Sequence, residues 1–347
     1  MINMRISGIF QMDFSSPLLR ALNKGLIGRR ISFRSPIYSS VMNRCQSHPL
    51  HCSSKYTKGN QSEEERRKAL MARGLPKRRG LEGVSNVILV ASGKGGVGKS
   101  TTAVNLALAM ANVGSETQKQ SVGLLDADIY GPSVPIMMNV SGQPFLDDDG
   151  KKMLPLTNYG LKCMSMGFLI RKSEDALVWR GPMVMGALEK LAHGTNWTGT
   201  DLVVVDMPPG TGDIHLSVAQ TLDVQGAIVV STPQKVALAD ARKAVSMFKT
   251  VNIPIIGCVE NMSAFACPKC NQETRVFGDE NTVEKIAAEL KVPFLGSVPL
   301  EPEIMRCSDD GTPIVLSNPQ SSSAKIYLEM GRKVLEYLRL RPPYIVQ

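Results

Sequence analysis

A chain of 347 residues with 43% hydrophobic and 20% charged side chains has the composition of an ordinary soluble globular protein, long enough for one large α/β domain or two small ones. Its formal charge of +9 belongs to the N-terminal segment, because residues 1–80 carry 16 Lys and Arg against 4 Asp and Glu, while residues 81–347 carry 24 against 27. The slightly acidic body argues against nucleic-acid binding, and the absence of an apolar run of 18 residues or more argues against a membrane span.

The N-terminal segment has the composition of an organelle transit peptide. Residues 1–55 contain six Arg, ten Ser and one acidic residue, Asp13, and residues 18–31 are able to form a basic amphipathic helix. Because Arg richness favours mitochondria over plastids, we expect residues 1–58 to be a disordered mitochondrial transit peptide and 59–80 a basic linker. The predicted location is the mitochondrial matrix. A plain disordered basic tail is the alternative.

From residue 81 onward, short apolar runs alternate with helical segments. The runs that predict buried strands are 84–91, 121–126, 161–166, 201–205, 225–230, 253–259 and 292–298. A helix closed by Gly114 follows the first run, and further helices are predicted at 182–193, 213–222, 235–250, 280–290 and 322–340. This alternation predicts a doubly wound, mostly parallel α/β sheet over 81–347, with its ligands at the carboxyl ends of the strands.

The segment GKGGVGKST between the first strand and its helix matches the phosphate-binding loop G-x-x-x-x-G-K-[ST]. Its glycines let backbone N–H groups point at phosphate oxygens, and the following helix N-terminus adds positive charge. We expect Lys99 to bridge the β- and γ-phosphates and Ser100 to bind Mg²⁺. The residues assigned to nucleotide binding are Gly93, Lys94, Gly95, Gly96, Val97, Gly98, Lys99, Ser100 and Thr101.

This loop carries an additional lysine, Lys94, directly after its first glycine. In this it resembles the deviant phosphate loop of the SIMIBI class of P-loop NTPases, which includes MinD, ParA and the nitrogenase iron protein. The resemblance implies that Lys94 is catalytic and reaches across a homodimer to the partner's nucleotide, where it stabilises charge on the γ-phosphate as an arginine finger does. An exposed surface lysine is the alternative.

Carboxylates follow two of the predicted strands. Asp126 and Asp128 end the second strand, and Asp206 ends the apolar run LVVVD. We expect Asp128 to orient the attacking water, Asp126 to support the Mg²⁺ shell and Asp206 to hold Mg²⁺ through a water. The segment PPGTGD at 208–213 suits a switch that senses the γ-phosphate. Any one of these aspartates alone has a helix cap or turn as its alternative.

Four segments, GKGGVGKST, DADIYGPS, DMPPGTGD and ENMS (residues 260–263), together resemble the Mrp family of iron–sulfur scaffold ATPases over essentially all of 81–347. Residues 72–76, together with the basic N-terminal segment, resemble the mitochondrial, NUBPL-like branch of this family, which assists assembly of respiratory complex I. The resemblance further implies that Asn261 contacts the adenine ring. An ordinary turn residue is the alternative for Asn261.

Cys267 and Cys270 form a C-x-x-C pair that follows a predicted strand. Two thiolates complete no metal site, since structural zinc and iron–sulfur sites commonly take four ligands, but two symmetry-related pairs would supply them. The family resemblance implies a [4Fe–4S] cluster bridging two subunits; a shared zinc or a redox dithiol are the alternatives. The other cysteines lie in the arm (Cys45, Cys52) or in apolar segments expected in the core (Cys163, Cys258, Cys307).

These observations predict a homodimeric, slow ATP hydrolase that uses ATP and Mg²⁺, holds a bridging [4Fe–4S] cluster and delivers it to recipient apoproteins, foremost subunits of complex I. No nucleic-acid partner and no transmembrane segment are expected. Two alternatives stay open: a MinD- or ParA-like positioning ATPase, and a nucleotide-binding assembly chaperone without a cluster. The C-x-x-C pair and the proline-containing segment 337–344 argue against the first of these.

Overall fold

The computed structural model describes residues 78–113, 119–169, 181–267, 269–270 and 272–340. The predicted transit peptide and the linker up to residue 77 lie outside these ranges. At the end of the linker, the Arg79 N–H donates to the Thr221 carbonyl at 2.8 Å, and Leu81 is buried in the core. The last linker residues therefore already contact the body, and the boundary at residue 80 stays a prediction.

An eight-stranded sheet forms the centre of the described body. Its strands are β1 (Asn86–Ala91), β2 (Val122–Asp126), β3 (Leu156–Asn158), β4 (Leu161–Ser165), β5 (Leu202–Asp206), β6 (Gly226–Ser231), β7 (Ile255–Asn261) and β10 (Phe294–Val298). They lie in the order β10-β7-β6-β1-β5-β2-β4-β3, and every neighbouring pair is parallel except β3 with β4. This confirms the predicted fold class, and each of the seven predicted strands is present within two residues of its expected start.

Helices connect the strands. They are α1 (Lys99–Val113), α2 (Val134–Met137), α3 (Gly181–His193), α4 (Asp213–Thr221), α5 (Lys235–Thr250), α6 (Thr282–Glu289), α7 (Pro302–Asp309), α8 (Ile314–Ser317) and α9 (Ser322–Leu340). α1 is apolar on nearly every face because it lies between the sheet and α9. α9 approaches it closely at Gly331, where an added Cβ would lie 3.2 Å from the Cβ of Ala109. Among the described residues, no helix is long and apolar enough to cross a membrane.

Several short elements were not predicted. β3 is a three-residue antiparallel edge strand, and β8 (Phe265–Ala266) pairs with β9 (Glu273–Thr274) in a separate two-stranded hairpin. α2, α7 and α8 span only one or two turns each. Segments of this length carry too few residues to show a hydrophobic period, so their conformation is set by tertiary contacts.

The three central strands bring the carboxylates together. β5 pairs with β1 on one side and β2 on the other, and Asp206 lies in register with Val90 and with Asp126. The Ala127 N–H continues the ladder by donating to the Asp206 carbonyl at 2.9 Å. Because parallel strands end at the same edge of a sheet, the phosphate loop after β1 and both aspartate-bearing turns share one crevice.

Candidate functional site

The phosphate loop connects β1 to α1 and lines a cavity of about 220 Å³ together with Asp128 and Pro209. Gly96 and Gly98 have φ values of +77° and +81°, in the left-handed region that favours glycine. Gly98 is further restricted by packing, because a Cβ there would lie 2.0 Å from the Asn261 Nδ2 atom. The first residues of α1 also line this cavity, so the positive end of a helix borders it, as the sequence predicts for an anion site.

Lys99 is the central charge of the crevice. Its side chain is 6% exposed, and its Nζ lies 2.5 Å from Asp206 Oδ1, 3.0 Å from the Ser100 hydroxyl and 4.0 Å from Asp128 Oδ2. One cluster therefore contains the residues that the sequence assigns to three roles. They are the phosphate-binding Lys99, the Mg²⁺ ligands Ser100 and Asp206, and the water-orienting Asp128. Burial raises the pKa of Asp206, and the contacts with Lys99 oppose that rise.

This cluster has the donor set that a nucleotide with Mg²⁺ requires. Asp206 Oδ2 is buried and has no hydrogen-bond partner among the described residues. A buried carboxylate oxygen without a partner is costly, and hydroxyl and carboxylate oxygens are the ligands that Mg²⁺ prefers. Ser100 and Asp206 therefore fit the metal, while Lys99 and the loop N–H groups fit the phosphates.

Asp126 lies behind this cluster and is fully buried. Its carboxylate accepts hydrogen bonds from the Ser165 hydroxyl at 2.9 Å, the Asp128 N–H at 3.1 Å and the Val134 N–H at 3.3 Å. Burial, followed by the charge of Asp206, raises the pKa of Asp126 to about 7, and the hydrogen bond from Ser165 opposes the rise. Asp126 thus fastens the turn that carries Asp128, and its support of the Mg²⁺ shell stays a prediction.

Asn261 ends β7 and contacts the phosphate loop from the other side. Its Nδ2 donates to the Val97 carbonyl at 2.9 Å, and the residue is 7% exposed. It also borders a second cavity of about 330 Å³ that shares Gly98 and Thr101 with the phosphate crevice. Apolar side chains dominate its wall: Ile136, Met137, Met262, Leu300, Ile304 and Met305. The predicted adenine contact of Asn261 stays a prediction.

Lys94 lies at the rim of the crevice, and its side chain is exposed. No ion pair or side-chain hydrogen bond of Lys94 is present within the described ranges, whereas its carbonyl accepts a bond from the Ser92 hydroxyl at 2.9 Å. The backbone at Lys94 is therefore held while its ammonium group faces outward. Gly93, just before it, packs so closely on α5 that a Cβ would lie 2.2 Å from the Asp240 carbonyl oxygen.

Cys267 and Cys270 lie in the turn of the β8–β9 hairpin, where the sequence predicted only an irregular stretch. Cys270 is exposed and Cys267 is half-buried, whereas Cys163, Cys258 and Cys307 are buried in the core as expected. Hydrogen bonds from the backbone of Lys269 and Cys270, and from the Cys270 thiol, lower the pKa of Cys267. Thiols that are close enough to hydrogen-bond to each other are also close enough to bind one metal centre. Among the described residues, no group of three or more potential metal ligands occurs.

Sequence reasoning missed His215, Ser92 and Ser165. His215 lies in the first turn of α4, is 2% exposed, and its Nε2 atom lies 2.7 Å from the Pro208 carbonyl oxygen. Ser92 and Ser165 are also buried and make the bonds described above. For His215 the sequence does carry a signal, since a histidine two residues after the PPGTGD segment is an unusual residue for the apolar face of a helix. The two serines carry no signal in the sequence.

Comparison with known proteins decides the family. A family model described as ParA, NUBPL iron-transfer P-loop NTPase, matches residues 83–335. The chain belongs to this family. The iron-sulfur cluster transfer protein NUBPL of Mus musculus is 52% identical over 286 residues, covering 82% of this chain and 88% of the relative. An Arabidopsis thaliana relative, named as an iron-sulfur protein required for NADH dehydrogenase, mitochondrial, is 52% identical over 259 residues, covering 75% and 80%.

More distant relatives agree with this assignment. The iron-sulfur cluster carrier protein of Escherichia coli is 46% identical over 259 residues, covering 75% of this chain and 68% of its own. Among solved structures, a nucleotide-binding protein from Archaeoglobus fulgidus in complex with ADP is 34% identical, covers 66% of this chain and 88% of its own, and superposes with a TM-score of 0.57. The MinD ATPase of Pyrococcus furiosus, at 18% identity and a TM-score of 0.53, shares the fold. Family membership makes the chain a P-loop NTPase. This agrees with the phosphate loop and the cluster of charged residues that line the crevice.

Proposed function

We propose that the protein is an ATP-dependent carrier that assembles [4Fe–4S] clusters and transfers them to recipient apoproteins, foremost subunits of the mitochondrial NADH dehydrogenase, complex I. The observation that carries the proposal is the pairing, on one chain of the NUBPL family, of a phosphate crevice with an exposed C-x-x-C hairpin. The names of the mouse and Arabidopsis relatives support the cargo and the recipient.

In the nucleotide half, the loop N–H groups and Lys99 bind the phosphates, and Ser100 and Asp206 are the residues that would hold Mg²⁺. Mg²⁺, when bound, neutralises charge on the phosphate oxygens. When nucleotide binds, the Lys99 ammonium leaves Asp206 and contacts a phosphate instead, because the carboxylate and the phosphate are both anions in the same crevice. Asp128, fastened by Asp126, orients water for attack on the γ-phosphate. Lys94, free at the rim, supplies a cation to the partner subunit's nucleotide in a homodimer.

In the cargo half, Cys267 and Cys270 of each subunit provide two thiolates, so that a dimer provides four for one cluster. The lowered pKa of Cys267 favours the thiolate, which is the form that binds iron. Because Cys270 is exposed and Cys267 is only half-buried, a cluster bound by them is accessible to a recipient. The cluster is cargo in this scheme, and it leaves when the two hairpins separate or a recipient's thiolates replace them.

Cluster transfer tests the proposal directly. Anaerobically reconstituted protein is mixed with an apo-recipient that needs a [4Fe–4S] cluster, with and without Mg-ATP, and the activity of the recipient is measured over time. A control reaction supplies free iron and sulfide in place of the loaded protein. We expect transfer that depends on Cys267 and Cys270. A protein that binds ATP but carries no iron would be an assembly chaperone, and nucleotide-dependent binding to lipid vesicles in its place would indicate a positioning ATPase.

The N-terminal arm and the family support a mitochondrial location, and we place the protein in the matrix, where cluster assembly for complex I would require it. A reporter fused to residues 1–60 is expected to enter mitochondria and be protected from added protease in mitoplasts. A reporter that stays cytosolic, or reaches only the intermembrane space, would contradict this assignment.

A further inference from the structure

The loop between β5 and α4, residues 207–212, lies beside the phosphate loop, and two backbone hydrogen bonds join it to the end of β1 and to the residue that precedes the phosphate loop. The Met207 N–H donates to the Val90 carbonyl and the Gly210 N–H donates to the Ser92 carbonyl, both at 3.0 Å. Between these two points, Pro209 forms part of the crevice wall. The conformation of this loop therefore decides the shape of the crevice where a γ-phosphate and the attacking water would lie.

His215 fastens the same loop from the α4 side. In the part of the chain that the structure describes, it is the one side chain that hydrogen-bonds to residues 207–212, through Nε2 and the Pro208 carbonyl at 2.7 Å. A carbonyl oxygen only accepts, so Nε2 carries the proton in this contact. Burial lowers the pKa of His215, which agrees with a neutral ring that donates from Nε2.

The contact between His215 and Pro208 joins the loop to α4, and α4 begins directly after the loop. A displacement of the loop would therefore also act on this helix. Pro208 and Pro209 have no N–H group, so neither residue can be held through its own backbone donor. Gly210, with φ of +105°, allows the chain to bend immediately afterwards. Near His215, α4 also borders an apolar cavity of about 360 Å³, which Val218 and Thr221 line together with residues of α3.

We propose that His215 is a positioning residue for nucleotide hydrolysis: it holds Pro208 and Pro209 against the phosphate loop and transmits their displacement by a γ-phosphate to α4. His215 does not touch the reacting atoms; it acts through the loop. The proposal rests on the NTPase activity of the family and not on cluster transfer. It can therefore be tested on protein that carries no iron, and it survives if the cargo assignment fails.

The test compares three variants. His215→Phe keeps an aromatic ring but removes the donor, His215→Gln keeps an N–H donor at a similar reach, and His193→Phe replaces a half-buried histidine at the end of α3 as a control. For each, ADP affinity, the rate of ATP hydrolysis and amide hydrogen exchange of peptides spanning 207–216 are measured, the exchange with ADP and with a non-hydrolysable ATP analogue. A thermal unfolding curve checks that every variant is folded.

The His215→Phe variant lacks one buried hydrogen bond, so we expect it to hydrolyse ATP roughly tenfold more slowly than the wild type. Its affinity for ADP should stay within about twofold of the wild-type value. The wild type should show slower exchange at 207–216 with the ATP analogue than with ADP, His215→Phe should lose that difference, and His215→Gln should recover most of it. Equal effects on ADP affinity and hydrolysis rate, no rescue by Gln, or no ATP-dependent protection in the wild type would each overturn the proposal.

Discussion

The nucleotide crevice and the thiol hairpin are built in opposite ways. The crevice lies at the end of the three central strands, and its central charged groups, Lys99, Asp128 and Asp206, are buried and lie close to one another. The hairpin consists of two strands of two residues each, its thiols are accessible, and it supplies half of the ligands that a cluster takes. The described chain already contains the clustered residues of the nucleotide crevice, whereas under our proposal the cargo site forms only when two subunits associate.

The largest expected effect is at Lys99. Lys99→Ala removes the cation that faces the phosphates, so ATP affinity should fall by roughly a hundredfold or more, in the range found for truncating one member of a buried charge pair. Lys94→Ala should leave ATP affinity within about threefold and slow hydrolysis instead, because Lys94 is exposed and, in the proposed homodimer, acts on the nucleotide of the partner subunit. Isothermal titration with ATP and a steady-state hydrolysis assay separate the two outcomes.

Lys99→Ala also leaves the Asp206 carboxylate buried without its cation, which costs about 3–5 kcal/mol when a buried pair is broken. The double variant Lys99→Ala with Asp206→Asn removes that charge. It should recover most of the unfolding temperature without recovering ATP affinity. Equal loss of ATP affinity in the Lys94 and Lys99 single variants would show that Lys94 acts within its own subunit.

The next effect concerns the cargo half. Cys267→Ser or Cys270→Ser should each lower the iron content after reconstitution to near background and weaken the dimer, while ATP affinity stays unchanged because the hairpin lies outside the phosphate loop. Cys258→Ala is the matched control, since this cysteine is buried in β7. Iron retained at the wild-type level by both hairpin variants would show that the pair is not the cluster site.

A further difference, which requires no substitution, should appear in the thiol reactivity of metal-free protein. Burial raises the pKa of Cys163 to about 12 and that of Cys258 to about 11, whereas hydrogen bonds lower the pKa of Cys267. Since the thiolate is the nucleophile, alkylation at pH 8 should be at least about a hundredfold faster at Cys267 than at either buried cysteine. The Cys267 rate should reach half of its plateau at a lower pH than an ordinary thiol, as mass spectrometry of timed samples can show.

Local and non-local features of the crevice differ in how well the sequence predicts them. The phosphate loop is visible because all of its residues are contiguous, and the meeting of Asp126, Asp128 and Asp206 follows from strand ends at one edge of a parallel sheet. The contact between Asn261 and Val97 joins residues 164 positions apart, and Ser165 reaches Asp126 from a neighbouring strand. No local pattern encodes such partners.

The hairpin illustrates a second limit. The C-x-x-C spacing predicts a pair of thiols that are close together, and the structure agrees. β8 and β9 were not predicted, because two-residue strands show no alternation and form only through their mutual pairing. His215 lies between these cases: the residue is conspicuous in the sequence, but the carbonyl that it contacts is known only from the fold.

Iron and sulfide content, measured together with the mass of the protein in solution after anaerobic reconstitution, tests most directly whether the cargo site is created by association. If each subunit supplies only Cys267 and Cys270, the loaded species should be a dimer with about four irons, loading should be second order in protomer, and removal of the cluster should shift the protein towards monomer. A monomer that holds a complete cluster, or zinc in place of iron, would contradict the account.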